Sequence, residues 1–109
     1  MDAIILKYLH ATILAGHSCD EVDIHDIKEA QKLKDLADMV VSICRETEYD
    51  KCDFKIVDNI LEIRILSADA VYINGDKSEF YNLIQIADSV VFMEEGENVL
   101  TVFKISKFW

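Results

Sequence analysis

His17, Cys19 and His25 lie within nine residues of one another, and Cys44 or Cys52 could join them in space. Four such soft or borderline donors converging would make a tetrahedral zinc site. The spacing argues against it, because the chain has no Cys-x-x-Cys or His-x-x-x-His pair and small domains often carry cysteine as a buried apolar residue. A zinc-dependent enzyme or sensor therefore stands only as an alternative, and no metal or cofactor is expected. For nucleophilic catalysis Cys19 would pair with His17 or His25, but a reactive thiol needs an electropositive setting, and here Asp20, Glu21, Asp23 and Asp26 surround it. Those same acids lack the ligand spacing and central glycine of an EF-hand loop. Gly75 and Gly96 sit in no phosphate-binding pattern. With no catalytic set of residues in view, the expectation is a protein that is not an enzyme.

Charge is the more informative property, with 21 acidic side chains against 11 basic ones and a net charge of -10. Nucleic-acid binding draws most of its affinity from lysine and arginine displacing counterions, so direct binding to DNA or RNA is excluded on charge. A helix-turn-helix reading of the first two helices fails for the same reason, since the second helix opens on acids where a DNA-reading helix presents donors. Anionic membrane surfaces, which attract polybasic segments, are disfavoured as well. The natural complement is a basic protein.

The acids that could meet such a partner fall into three groups at expected element ends: Asp20, Glu21, Asp23 and Asp26; Glu46, Glu48 and Asp50; and Glu94, Glu95 and Glu97. If folding gathers them, their carboxylates would resemble the phosphates of a nucleic acid and could steer onto a basic groove. The competing explanation is a solvated surface that keeps the protein soluble, with the first group simply marking a helix start.

These groups must be positioned by a fold that the pattern of apolar residues describes in outline. The 109 residues fit a single domain spanning 1–109, and three glycines with no proline leave no linker to divide it. The opening segment is apolar, but it begins with Asp2 and is interrupted by Lys7 and His10, so it reads as fold and not as a signal sequence. Three cysteines without a disulfide framework point to reduced thiols and an intracellular, cytoplasmic setting.

From Ala3 to Ala15, Ile4, Ile5, Leu6, Leu9, Ile13 and Leu14 cover most of a helical wheel, although a strand over Ala3–Leu9 competes. A helix so widely apolar must be buried or cover a partner, which motivates a structural domain that forms a homodimer through it. Over Ile27–Arg45, Ala30, Leu33, Leu36, Ala37, Val40, Ile43 and Cys44 form one helical stripe, with Ser18 or Asp23 available to cap its start.

Asp58-Asn59 lies between two alternating runs and suits a two-residue hairpin. Pairing Val57 with Ile60 sets Lys55 opposite Glu62 and Asp53 opposite Arg64, while Cys52, Phe54 and Ile56 meet Leu61, Ile63 and Ile65 on the other face. A one-residue slip would destroy both correspondences. A third strand is expected over Ala70–Ile73, then a helix over Glu79–Asp88 capped by Asp76 or Ser78. A second hairpin follows, in which Val90–Met93 and Val99–Ile105 flank Glu94–Asn98. Phe108 and Trp109 either complete the core or anchor a partner.

The resulting order, α-α-β-β-β-α-β-β, describes an α+β fold of about five mostly antiparallel strands with two to three helices packed on one face. The function expected is a small acidic regulatory or inhibitory protein that binds a basic partner, a nucleic-acid-binding protein whose groove it occupies being one such partner.

Overall fold

The computed structural model describes residues 2–17, 19, 21–68 and 77–106. The strand expected over Ala70–Ile73 and the cap at Asp76 lie outside the described residues, as do Ser18, Asp20 and the terminal Phe108 and Trp109. Among the described residues the order is α1 (Asp2–Ala15), α2 (Ala30–Thr47), β1 (Lys51–Val57), β2 (Ile60–Ser67), α3 (Lys77–Ile86), β3 (Ser89–Glu95) and β4 (Asn98–Ser106). The fold is α+β, as expected, but its antiparallel sheet has four described strands and not five.

The first helix resolves the helix-or-strand ambiguity at the chain's start. Ile5, Tyr8, Leu9 and Thr12 are buried, the three- and four-residue steps of a single helical stripe. The Thr12 hydroxyl, which would otherwise be stranded in the core, donates to the Tyr8 carbonyl at 2.9 Å. Gly16 then stops the helix at φ 77°, a conformation glycine enters without steric penalty, and its amide donates to the Thr12 carbonyl at 2.9 Å. Arg45 donates to the Gly16 carbonyl at 2.7 Å, tying this end to the last turn of α2.

The second helix buries Leu33, Leu36, Ala37, Val40, Ile43 and Cys44, the expected stripe, but it starts at Ala30 instead of Ile27. Asp23 does not cap it: Glu29 occupies the N-cap position without a capping hydrogen bond. Asp23 accepts instead from the His25 amide at 2.9 Å, within a turn in which the Ile27 amide donates to the Ile24 carbonyl at 3.0 Å. Ile24 and Ile27 are 5% and 4% exposed, so burying both in this turn holds the backbone out of a helix until Ala30.

The β1–β2 hairpin has the register read from the sequence, with Val57 opposite Ile60, Lys55 opposite Glu62 and Asp53 opposite Arg64. Asp58 and Asn59 have φ of 53° and 65°, the paired positive values of a type I′ turn, which side chains of this kind tolerate. One part of the expectation fails. Asp53 does not pair with Arg64; its two carboxylate oxygens lie 3.3 Å from Lys51 and 3.8 Å from His10. Lys55 and Glu62 do meet, at 3.8 Å. Double-mutant cycles should therefore find coupling of about 0.2–1 kcal/mol for Lys55 with Glu62 and less than about 0.2 kcal/mol for Asp53 with Arg64. Equal coupling in the two cycles would contradict this geometry.

The β3–β4 hairpin turns through Gly96-Glu97, with Glu95 opposite Asn98 and Gly96 at φ 65°. The two hairpins join through β2 and β4 to give the sheet order β1-β2-β4-β3. Leu61, Ile63, Ile65 and Phe103 are all 0% exposed on the face that the helices cover, where they pack with Phe54, Phe80, Leu83 and Ile105. Asp88, expected inside the last helix, lies beyond it, and its carboxylate accepts from the Ser106 amide and hydroxyl at the end of β4.

Candidate functional site

The alternation of the strands sends a second set of residues to the sheet face opposite the helices. Across the four strands these are Lys51, Asp53 and Lys55; Glu62, Arg64 and Leu66; Leu100, Val102 and Lys104; and Val91, Met93 and Glu95. Charge is thus concentrated on β1 and β2, exposed apolar surface lies on β3, and Leu100 and Val102 of β4 between them are buried, 6% and 3% exposed. A depression of about 410 Å³ runs along part of this face, lined by Lys51, Asp53, Arg64, Leu66, Leu100 and Glu95 among others. His10 closes its β1 side, with its ring edge-on to Phe54 at 5.2 Å and its Nδ1 2.9 Å from the Leu6 carbonyl.

The sheet edges differ in what they present. β1 pairs on one side only among the described residues, and there Lys51 and Lys55 place cations along its edge, a common defence against pairing with another chain. The β3 edge has no lysine, arginine or proline between Ser89 and Glu95. Val91, Phe92 and Met93 are 42%, 42% and 43% exposed there. Phe92 lies on the helical side, 6.4 Å from the Phe80 ring, while Val91 and Met93 lie on the opposite face.

The register places two of the three acidic groups at the same end of the sheet. Lys51, Leu66, Leu100 and Met93 stand opposite one another across the four strands, so Glu94, Glu95 and Glu97 continue beyond this row from β3. Glu46, Glu48 and Asp50 lead into the same row at β1, where the Asp50 amide donates to the Leu66 carbonyl at 2.8 Å. The outer strands of a four-stranded sheet are about 14 Å apart, so the two groups flank one end of it. Glu94, Glu95 and Glu97 are exposed and make no ion pair among the described residues.

The remaining group is placed differently. Glu21, Asp23 and Asp26 are exposed on the α1–α2 connection, and Glu21 lines a depression with Ala11, Leu14, His17 and Cys19. They do not mark the start of α2, which lies further on at Ala30.

The cysteines divide in the same way. Cys19 stays with His17 on the connection, whereas Cys44, near the end of α2, and Cys52, at the start of β1, come together. Among the described residues no three His, Cys, Asp or Glu side chains converge as metal ligands. The Cys52 thiol is held far above its ordinary value of 9.0 by a hydrogen bond with Cys44 and by burial, with Cys44 and Asp53 adding to the effect electrostatically. Tyr49 beside them is also raised, chiefly by burial. A thiol kept protonated is a poor nucleophile.

This shift also has a stability consequence with a definite sign. Because Cys52 keeps its proton in the folded state, its contribution is complete below pH 9 and falls above it as the unfolded thiol ionises. Stability should therefore fall as the pH rises above 9, checked by urea denaturation between pH 8 and 10.5. Cys52→Ala should remove that fall; an unchanged fall would show that Cys52 is not its source.

The first helix has turned its stripe inward, so Leu9 at 0% exposure belongs to this chain's own core and not to a free face. Ile4 and Leu14, 43% and 89% exposed, are the large apolar residues it leaves outside. No described helix is long and apolar enough to cross a membrane. No family model matches the chain, and no curated protein or solved structure matches it.

Proposed function

We propose that this chain is a small non-enzymatic regulatory protein that binds a basic protein partner, with the acidic end of its sheet as the contact. One observation supports this reading above the others. Glu94, Glu95 and Glu97 project from a hairpin without ion-pair partners among the described residues, at the same end of the sheet as Glu46, Glu48 and Asp50. Carboxylates held on a rigid hairpin attract a cationic groove over distances that screening by salt shortens. A nucleic-acid-binding protein is the partner class whose surface is built for such a pattern, and occupation of its groove would inhibit it.

The experiment is a capture from host lysate with the wild-type chain and with a variant carrying Glu94→Lys, Glu95→Lys and Glu97→Lys, at low and high salt. A basic protein retained by the wild type at low salt, and lost both in high salt and with the variant, is the expected result. Retention of the same proteins by both baits in high salt would overturn the reading.

A further inference from the structure

We infer that β3 is a docking strand: an extended segment of the basic partner adds antiparallel to its open edge, with basic residues first and alternating apolar residues after them. This rests on the proposed function and specifies how the partner is held. Among the described residues β3 pairs on one side only, with β4, so its other side offers a row of backbone donors and acceptors. Seven residues is ample length for a pairing strand.

The side chains along this edge select what can pair there. Val91 and Met93 would meet apolar residues of an added strand on one face, and Phe92 would meet one on the other. The acids lie at one end only, because Glu94, Glu95 and Glu97 follow the apolar residues in the direction of the strand. An antiparallel partner runs the opposite way, which brings its N-terminal residues beside these acids. Lysine or arginine is favoured there by charge, and an acidic strand is repelled. A parallel segment would need its basic residues last, and parallel pairing is slightly the weaker of the two.

A second copy of this chain is the competing occupant. It would bring a further net charge of -10 against the first, and nothing basic in β3 offsets that repulsion. Charge complementarity therefore favours a basic segment over self-pairing.

The test uses the full chain and an N-acetylated peptide of Arg-Lys-Lys followed by alternating valine and threonine, with the reversed sequence as control. Amide hydrogen exchange, read residue by residue by NMR, should slow about tenfold or more at alternate positions of Ser89–Glu95 when the first peptide saturates. The reversed peptide should bind at least about tenfold more weakly. A variant carrying Val91→Lys and Met93→Lys, both at exposed positions that leave the core intact, should lose the slowing.

Salt-sensitive binding without slower exchange in β3 would overturn strand addition alone and leave the basic-partner reading standing. Equal binding of the two peptides would overturn the stated polarity. Slowing that appears without peptide and grows with protein concentration would assign the edge to a second copy. No saturable binding of either peptide up to about 1 mM would sink the docking-strand inference, while the basic-partner reading stands or falls on the lysate capture.

Discussion

Reversing Glu94, Glu95 and Glu97 together to lysine is expected to weaken binding of the basic partner by about 3 kcal/mol, on the order of a hundredfold. Each reversal shifts the local charge by two units, and all three positions are exposed on one hairpin, so the changes act on the same potential. The fold should not register them, since no ion pair among the described residues is broken and none of these side chains belongs to the core. Thermal unfolding should give stability within about 0.5 kcal/mol of the wild type. Titration calorimetry against the captured partner supplies the affinity. Weakening by less than about threefold would place the contact elsewhere. Reversing Glu21, Asp23 and Asp26 provides the comparison, because these acids lie on the α1–α2 connection and the same reversal there should have the smaller effect.

The largest expected effect on stability comes from the opposite side of the sheet. Phe103 is 0% exposed, stands opposite Ile63 and Val90, and packs its ring 6.0 Å from that of Phe80. Phe103→Ala removes a large side chain from a site fixed by two neighbouring strands and a helix, so the surroundings cannot collapse fully into the space. The expected loss is about 3–5 kcal/mol, a large fraction of the roughly 5–15 kcal/mol that holds a domain together. Chemical denaturation should show the midpoint falling sharply with little change in slope. Phe92→Ala, at 42% exposure on the edge strand, should lose far less. A similar loss at both positions would mean that β3 is covered in solution.

The contrast between these two phenylalanines also shows what the sequence could and could not disclose. Alternation identified β3 and β4 as strands, but it could not reveal that β4 would lie between β2 and β3, because strand order depends on contacts distant in sequence. Phe103 and Phe92 look alike in composition, and only the order β1-β2-β4-β3 makes one central and the other marginal. The β1–β2 register was legible because two independent patterns, cross-strand charges and buried residues, agreed on it. The ion-pair partners of Asp53 were not, since register sets Arg64 opposite it while the side chain chooses among all neighbours, and Lys51 and His10 both reach it.

The acidic groups were legible as residues and not as an arrangement. Charge alone could not show that Glu94 and Asp50, far apart in the chain, belong to one end of the sheet, because that follows from the joining of two hairpins. The acids before α2 looked like a helix start for sound local reasons. Burial of Ile24 and Ile27 in a turn overrode that preference. The β3 edge, unpaired among the described residues, has a signal in the sequence: an apolar strand segment without lysine, arginine or proline lacks the usual protections of an edge.

The most direct measurement of the central claim is the rate at which the captured partner associates with this chain as salt is raised from about 0.05 to 0.5 M, a range over which screening shortens from well above to well below about 10 Å. The proposed contact predicts association slowing at least about tenfold while dissociation changes little, and the triple reversal losing that dependence. Association that is independent of salt, and equal in the wild type and the reversed variant, would contradict it.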